Sequence, residues 1–204
     1  MDMKKSLLKG LLVCCLLTNL VACSSMSFIG MYKMSQMDPM TMDPAQISVA
    51  IKTDQAVEVK KGAATITFRY QSEDQSKDQS INIDKVFEVV VDNQNKAAYE
   101  LFGKLKPTEV VTSLSLTAED AQLFRGFQQQ IAAHKANGGK GTGSFGLGLT
   151  DFCLPEPMPK RDLLVDVYLQ TDRQDGFFKF LSDVDIKEQA KALEEKGNSL
   201  KCHS

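Results

Sequence analysis

From Ile47 onward, apolar and polar residues alternate in a series of short stretches. Ile47, Val49 and Ile51 fall on one side of an extended chain, with Ser48 and Lys52 on the other. Val57 and Val59 repeat the pattern with Glu58 and Lys60, and Ala64, Ile66, Phe68 and Tyr70 alternate with Thr65, Thr67 and Arg69. A period of two predicts strands with one face in a core and the other in water. Lys61-Gly62 supplies a turn between two of them, and the wholly polar run 71–80 predicts an exposed loop. The longest strand candidate is Ile81 to Val91, where Ile81, Ile83, Phe87, Val89 and Val91 share a face. Asp92-Asn93-Gln94-Asn95 then reads as turn chemistry. Tyr99 to Leu105 and Glu109 to Leu116 are weaker strand candidates.

The period then changes. Thr117 reads as a helix cap, with Glu119 and Asp120 placed to complement the dipole in the first turn. Phe124, Phe127 and Ile131 follow at i, i+3 and i+7, so they form one apolar face. Gly138-Gly139 predicts the end of the helix. Strand patterns resume at Phe145–Leu149, Leu163–Leu169 and Phe177–Ile186, and Lys187 to Lys196 predicts a short charged helix. Connections are too short for parallel crossovers, which need a dozen residues or more. The expectation is a mainly β, α+β fold: an antiparallel, sandwich-like domain of roughly eight strands with one packed amphipathic helix and a short C-terminal helix.

The N-terminus carries a different kind of signal. Lys4 and Lys5 precede a mostly apolar run, Leu7 to Val21, too short and interrupted for a spanning helix. The run ends in Leu20-Val21-Ala22-Cys23, which resembles the lipobox of bacterial lipoproteins. The resemblance covers residues 1–25 only. It implies cleavage before Cys23, diacylation of the Cys23 thiol and, where Ser24 follows, sorting to the outer membrane, with the body facing the periplasm. Residues 1–22 are then a signal peptide, 23–46 a lipidated N-terminus and Met-rich tether, and 47–204 a single globular β-rich domain. Two or more acyl chains hold stably where one does not.

That division changes the charge count. Removal of Asp2, Lys4, Lys5 and Lys9 with the signal leaves 21 basic and 25 acidic residues, a net charge of −4. No run of Lys or Arg forms a stripe, which argues against nucleic acid and against electrostatic docking on anionic lipid. Two cysteines also leave with the signal. Cys153 and Cys202 remain beside the lipidated Cys23, and an even pair in an oxidising compartment predicts a disulfide. Its loop of about 50 residues would contribute roughly 4 kcal/mol on the chain-entropy model.

Within the tether, Asp38-Pro39 and Asp43-Pro44 disfavour regular structure. Met26, Met31, Met34, Met37, Met40 and Met42 place six thioethers in 17 residues. Soft thioether sulfur suits Cu(I), so Met31, Met34, Met37 and Met40 are candidate ligands. Met also fills irregular apolar grooves, and packing is the favoured reading.

Candidate catalytic groups are few. Gly141, Gly143 and Gly146 spell a dinucleotide-like G-x-G-x-x-G, but a helix precedes the string and an alternating strand contains its end, the inverse of the required context. His134 falls near a helix C-terminus, where a cation complements the dipole. Asp183 and Asp185 share a face if their strand is regular. Asp172, Asp175 and Gly176 read as a turn. The expectation is a membrane-anchored, non-enzymatic envelope component with a protein partner and no cofactor beyond the lipid. A Cu(I) or small-ligand binder is the alternative, and a hydrolase using an acid pair comes last.

Overall fold

A computed structural model of the protein describes residues 27–59, 62, 64–73, 80–92, 96–149 and 152–194. The alternating segments form sheets. β1 (Ser48–Asp54) is the central strand of a five-stranded sheet, flanked by β6 (Glu109–Ser115) and β9 (Leu164–Gln170). The short β5 (Val90–Val91) lies beside β6, and β10 (Phe178–Asp185) beside β9. A second sheet has β3 (Ala64–Ser72) between β4 (Asn82–Glu88) and β7 (Gly141–Leu149). β2 (Glu58–Val59) pairs with β8 (Phe152–Cys153). All these pairings are antiparallel. With helices α1 (Phe28–Gln36), α2 (Lys96–Glu100), α3 (Ala118–Ala136) and α4 (Ile186–Glu194), the fold is mainly β in the α+β class.

One core joins the sheets and α3. Val49, Ile51, Leu114 and Val167 of the larger sheet meet Ile66, Phe68 and Phe87 of the smaller, together with Phe124 and Ile131. α3 begins as its sequence predicts: the Thr117 hydroxyl accepts the Asp120 amide at 3.0 Å, and Glu119 and Asp120 occupy the first turn. Gly138 follows the helix at φ +84°, a conformation that costs glycine little.

Two segments depart from expectation. Residues 27–46 are built against the body, where Asp-Pro steps and weak periodicity predict an irregular tether. Ser27 caps α1, its hydroxyl accepting the Gly30 amide at 2.8 Å and donating to the Lys179 carbonyl. Downstream, Asp43 caps a 3-10 turn (Pro44–Gln46) and pairs with Arg125 of α3. Buried Gln128 of α3 donates to the carbonyls of Pro39 and Met42 at 2.9 and 2.8 Å. These tertiary contacts supply order that no local propensity encodes. The second departure is Tyr99–Leu105, which forms the end of α2 and a turn with Gly103 at φ +57° rather than a strand. Its alternation is real, but only Ala98 of α2 is buried.

Candidate functional site

The five-stranded sheet has a second face, away from the core. Residues opposite one another in an antiparallel pair share a face, so the register groups them in rows. Ser48 opposes both Ser115 and Gln170, Ala50 opposes Ser113 and Tyr168, and Lys52 opposes Val111 and Asp166. Alternation predicts this face in water. Instead Ser48, Ala50, Asp54 and Ser113 are buried. One covering residue is Phe102, just after α2, whose ring meets Tyr168 edge-on at 4.7 Å.

At one end of the face the polar groups satisfy one another. Lys52 Nζ lies 2.9 Å from Asp166, and Lys179 Nζ lies 3.6 Å from the same carboxylate. Asp166 also accepts the Asp183 amide at 3.0 Å. Burial opposes charge on Asp166 and Lys52. The Asp183 amide and Lys52 nevertheless hold the Asp166 carboxyl below its ordinary value, and Asp166 holds Lys52 above its own. Lys52 sits 5.9 Å from the Phe102 ring centroid, and Lys179 sits 5.4 Å from that of Tyr168, so aromatic faces complete the cationic contacts. Nearby, Arg161 donates from Nε and Nη2 to the two oxygens of buried Asp54, each at 2.7 Å. That fork lowers the Asp54 pKa against the opposing effect of burial, with help from the Ala56 amide.

A pH dependence follows from the depressed carboxyls. A folded-state pKa below the unfolded value of about 3.9 gives stability that is complete above about pH 5 and lost as pH falls through the folded pKa. Asp54→Asn should therefore lower the thermal midpoint at pH 7, and the gap to the parent should close below about pH 4. Unfolding curves from pH 7 to 3 test this; a gap that stays constant would mean that the ion pair contributes nothing.

The opposite end of the face opens on a cavity. Ser48, Ser115 and Gln170 form its terminal row and border a cavity of about 570 Å³. Gln170 is only 4% exposed and Ser48 only 7%. The fully buried side-chain oxygens without a partner among the described residues are Thr53 Oγ1, Ser113 Oγ and the Tyr70 hydroxyl. Around the mouth are Arg173, Lys96 and Asp92, with Thr117 and Ala118 at the start of α3. Thr117 already takes the Asp120 amide at that helix start, and the Arg173 and Lys96 side chains have no partner among the described residues. The cavity thus offers donors and two cations, with Asp92 as a counter-charge. Sequence reading missed it because its parts come from strand ends and a helix start far apart in the chain; the only hint was a polar residue at each strand terminus.

The residues singled out in the sequence are scattered. Cys23, Ser24, Met26 and Cys202 lie outside the described residues, so the Cys153–Cys202 pairing does too. Met34, Met40 and Met42 pack against the core, whereas Met31 lies on the solvent side of α1 and Met37 is half-buried just beyond it. Gly141, Gly143 and Gly146 lie inside β7, paired with Ser72, Tyr70 and Thr67. A Cβ at Gly141 would come within 2.6 Å of the Tyr70 phenol, so this glycine admits a cross-strand ring. His134 meets the Tyr70 ring edge-on at 6.1 Å. β10 is bulged between Lys179 and Val184, with Asp183 at φ +52°. The bulge breaks the alternation on which an Asp183–Asp185 pair depends, and Asp185 instead caps α4 through the Lys187 amide. Asp172 accepts the Gln174 amide in the predicted turn, which Gly176 closes at φ +70°. Among the described residues, no three His, Cys, Asp or Glu side chains gather as a set able to hold a metal ion. No family model matches the chain, and no curated protein or solved structure proves similar to it.

Proposed function

We propose that the protein is a lipid-anchored component of the bacterial envelope, held by Cys23 at the outer membrane, that binds a small polar anion without transforming it. The lipobox and Ser24 support the address. The observation that carries the binding reading is the row of Ser48, Ser115 and Gln170 lining a cavity beside Arg173 and Lys96. Arg173 and Lys96 favour an anionic oxygen group.

Inorganic phosphate, succinate and glutamate serve as probes in thermal-shift titrations. At least one should raise the midpoint of the parent. Arg173→Ala should weaken that response about tenfold or more, the loss of a charge-assisted hydrogen bond. Gln170→Leu should leave the stability of the free protein about unchanged while abolishing the response, because it removes an amide that lines the cavity and keeps the bulk. A parent indifferent to all three anions, with Gln170→Leu destabilised, would show the row to be structural.

A further inference from the structure

We infer that the outward side of α1 lies in the interfacial layer of the lipid bilayer that holds the anchor, fixing how the domain sits on the membrane. The inference rests on the reading of Cys23 as the lipidated residue. Phe28, Ile29 and Tyr32 are 87%, 62% and 66% exposed, and Met31 belongs to the same surface. At about 100° per residue these four, with Ser35 and Gln36, occupy one arc of the helix. Gly30 and Met34 occupy the other side, where α1 meets β10 and the core. Lys33, between the two, is paired with Asp175 at 3.2 Å, so no free charge stands on the arc.

Order along the helix matters as much as the face. The apolar residues are at the N-terminal end, nearest the anchor, and the polar Ser35 and Gln36 are at the far end. From Cys23 to Ser27 there are four residue steps, which span at most about 14 Å even when fully extended. The cap of α1 is therefore held within that distance of the lipidated residue, whatever path the linker takes. An exposed Phe, Ile, Met and Tyr surface on so short a leash meets lipid before it meets anything else. Interfacial helices bury their apolar side about 5–10 Å into the headgroup and acyl boundary, and Tyr suits that layer. With Lys33, the one basic residue of α1, paired to Asp175, the contact is apolar and works on neutral lipid.

The test uses the full-length, processed protein in phosphatidylcholine vesicles. The chain has no Trp, so F28W, or I29W as a second reporter, gives a single fluorophore on the face. Fatty-acid labelling of the same sample, and its loss in Cys23→Ser, reads the anchor separately. The expected result is label on Cys23, blue-shifted emission in vesicles, and stronger quenching by bromines high on the acyl chains than by bromines at their ends, unchanged by salt. A labelled protein whose reporters stay in water and escape quenching overturns the seating and leaves the anchor intact. An unlabelled protein overturns the anchor and the seating with it. Blue shift without lipid quenching, whether it follows protein concentration or addition of an envelope extract, puts protein on this face and also overturns the proposal.

Discussion

Phe124→Ala should cost about 3–5 kcal/mol of folding stability, the usual range for emptying a buried phenylalanine site. Phe124 is fully buried, and its ring lies 4.5 Å from Phe68, 5.5 Å from Phe87 and 6.4 Å from Phe145, centroid to centroid. Those three rings come from the three strands of the smaller sheet, so one side chain bonds α3 to all of them. The rings are held in place by the backbone pairing of β3 with β4 and β7, which limits how far they can collapse into the void. Domains of this size are stable by about 5–15 kcal/mol in total, so the loss takes a large share. The thermal midpoint should fall by on the order of 10 °C. Urea unfolding should show a lower midpoint at an unchanged slope, the mark of lost stability rather than altered compactness. Phe124→Leu, which leaves a smaller cavity, should cost less. A loss below about 1 kcal/mol for Phe124→Ala would contradict the packing of α3 against the small sheet.

The core was legible because it is written in local periods. Ala64, Ile66, Phe68 and Tyr70 alternate in sequence and are all buried in β3. Thr117, Glu119, Phe124 and Ile131 spell a cap, an acidic first turn and an apolar face, and α3 follows. What the sequence hid depends on what covers each element. β1 alternates as if half its residues faced water, but Ser48, Ala50 and Asp54 are buried on the outer side. Nothing in residues 48–54 announces that cover. β10 carries a bulge that no alternation rule predicts, and it turns the Asp183 amide toward Asp166. The cavity is the extreme case. Ser48, Ser115 and Gln170 are adjacent only because three strands end in register, and a register is a property of pairs of strands.

The methionine segment hid for a related reason. Soft donors and gap-filling apolar side chains have the same composition, and composition alone does not separate them. Placement is more informative. Met34, Met40 and Met42 fill space against the core, while Gln128 holds the carbonyls on either side of the Thr41 bend. Met31 belongs instead to the outward face of α1. One run of residues thus serves two surfaces, and its thioethers are divided between them.

Gly30→Val should release α1 from the body, and Gly30→Ala should act in the same direction. A Cβ at Gly30 would lie 2.8 Å from the Phe180 carbonyl oxygen, 2.9 Å from the Ser27 hydroxyl and 3.0 Å from the Lys179 carbonyl oxygen. Two of these atoms are strand backbone, which cannot swing aside as a side chain could, and the third is the cap of the helix itself. Accommodating the clash in place costs roughly 1–3 kcal/mol. The alternative is undocking, and a nine-residue helix is marginal in water once its tertiary contacts go. Trypsin should then cut after Lys33, and amides of residues 28–36 should exchange faster, while the two sheets stay protected. Gly126 provides the control. It lies within α3, and a Cβ there meets nothing within 4 Å. Gly126→Ala should therefore stabilise by up to about 1 kcal/mol, since alanine is the better helix former. The same added methyl group should have opposite signs at two helical glycines, because only Gly30 is a point of contact. Equal stabilisation at both would mean that α1 does not rest on β10 through Gly30.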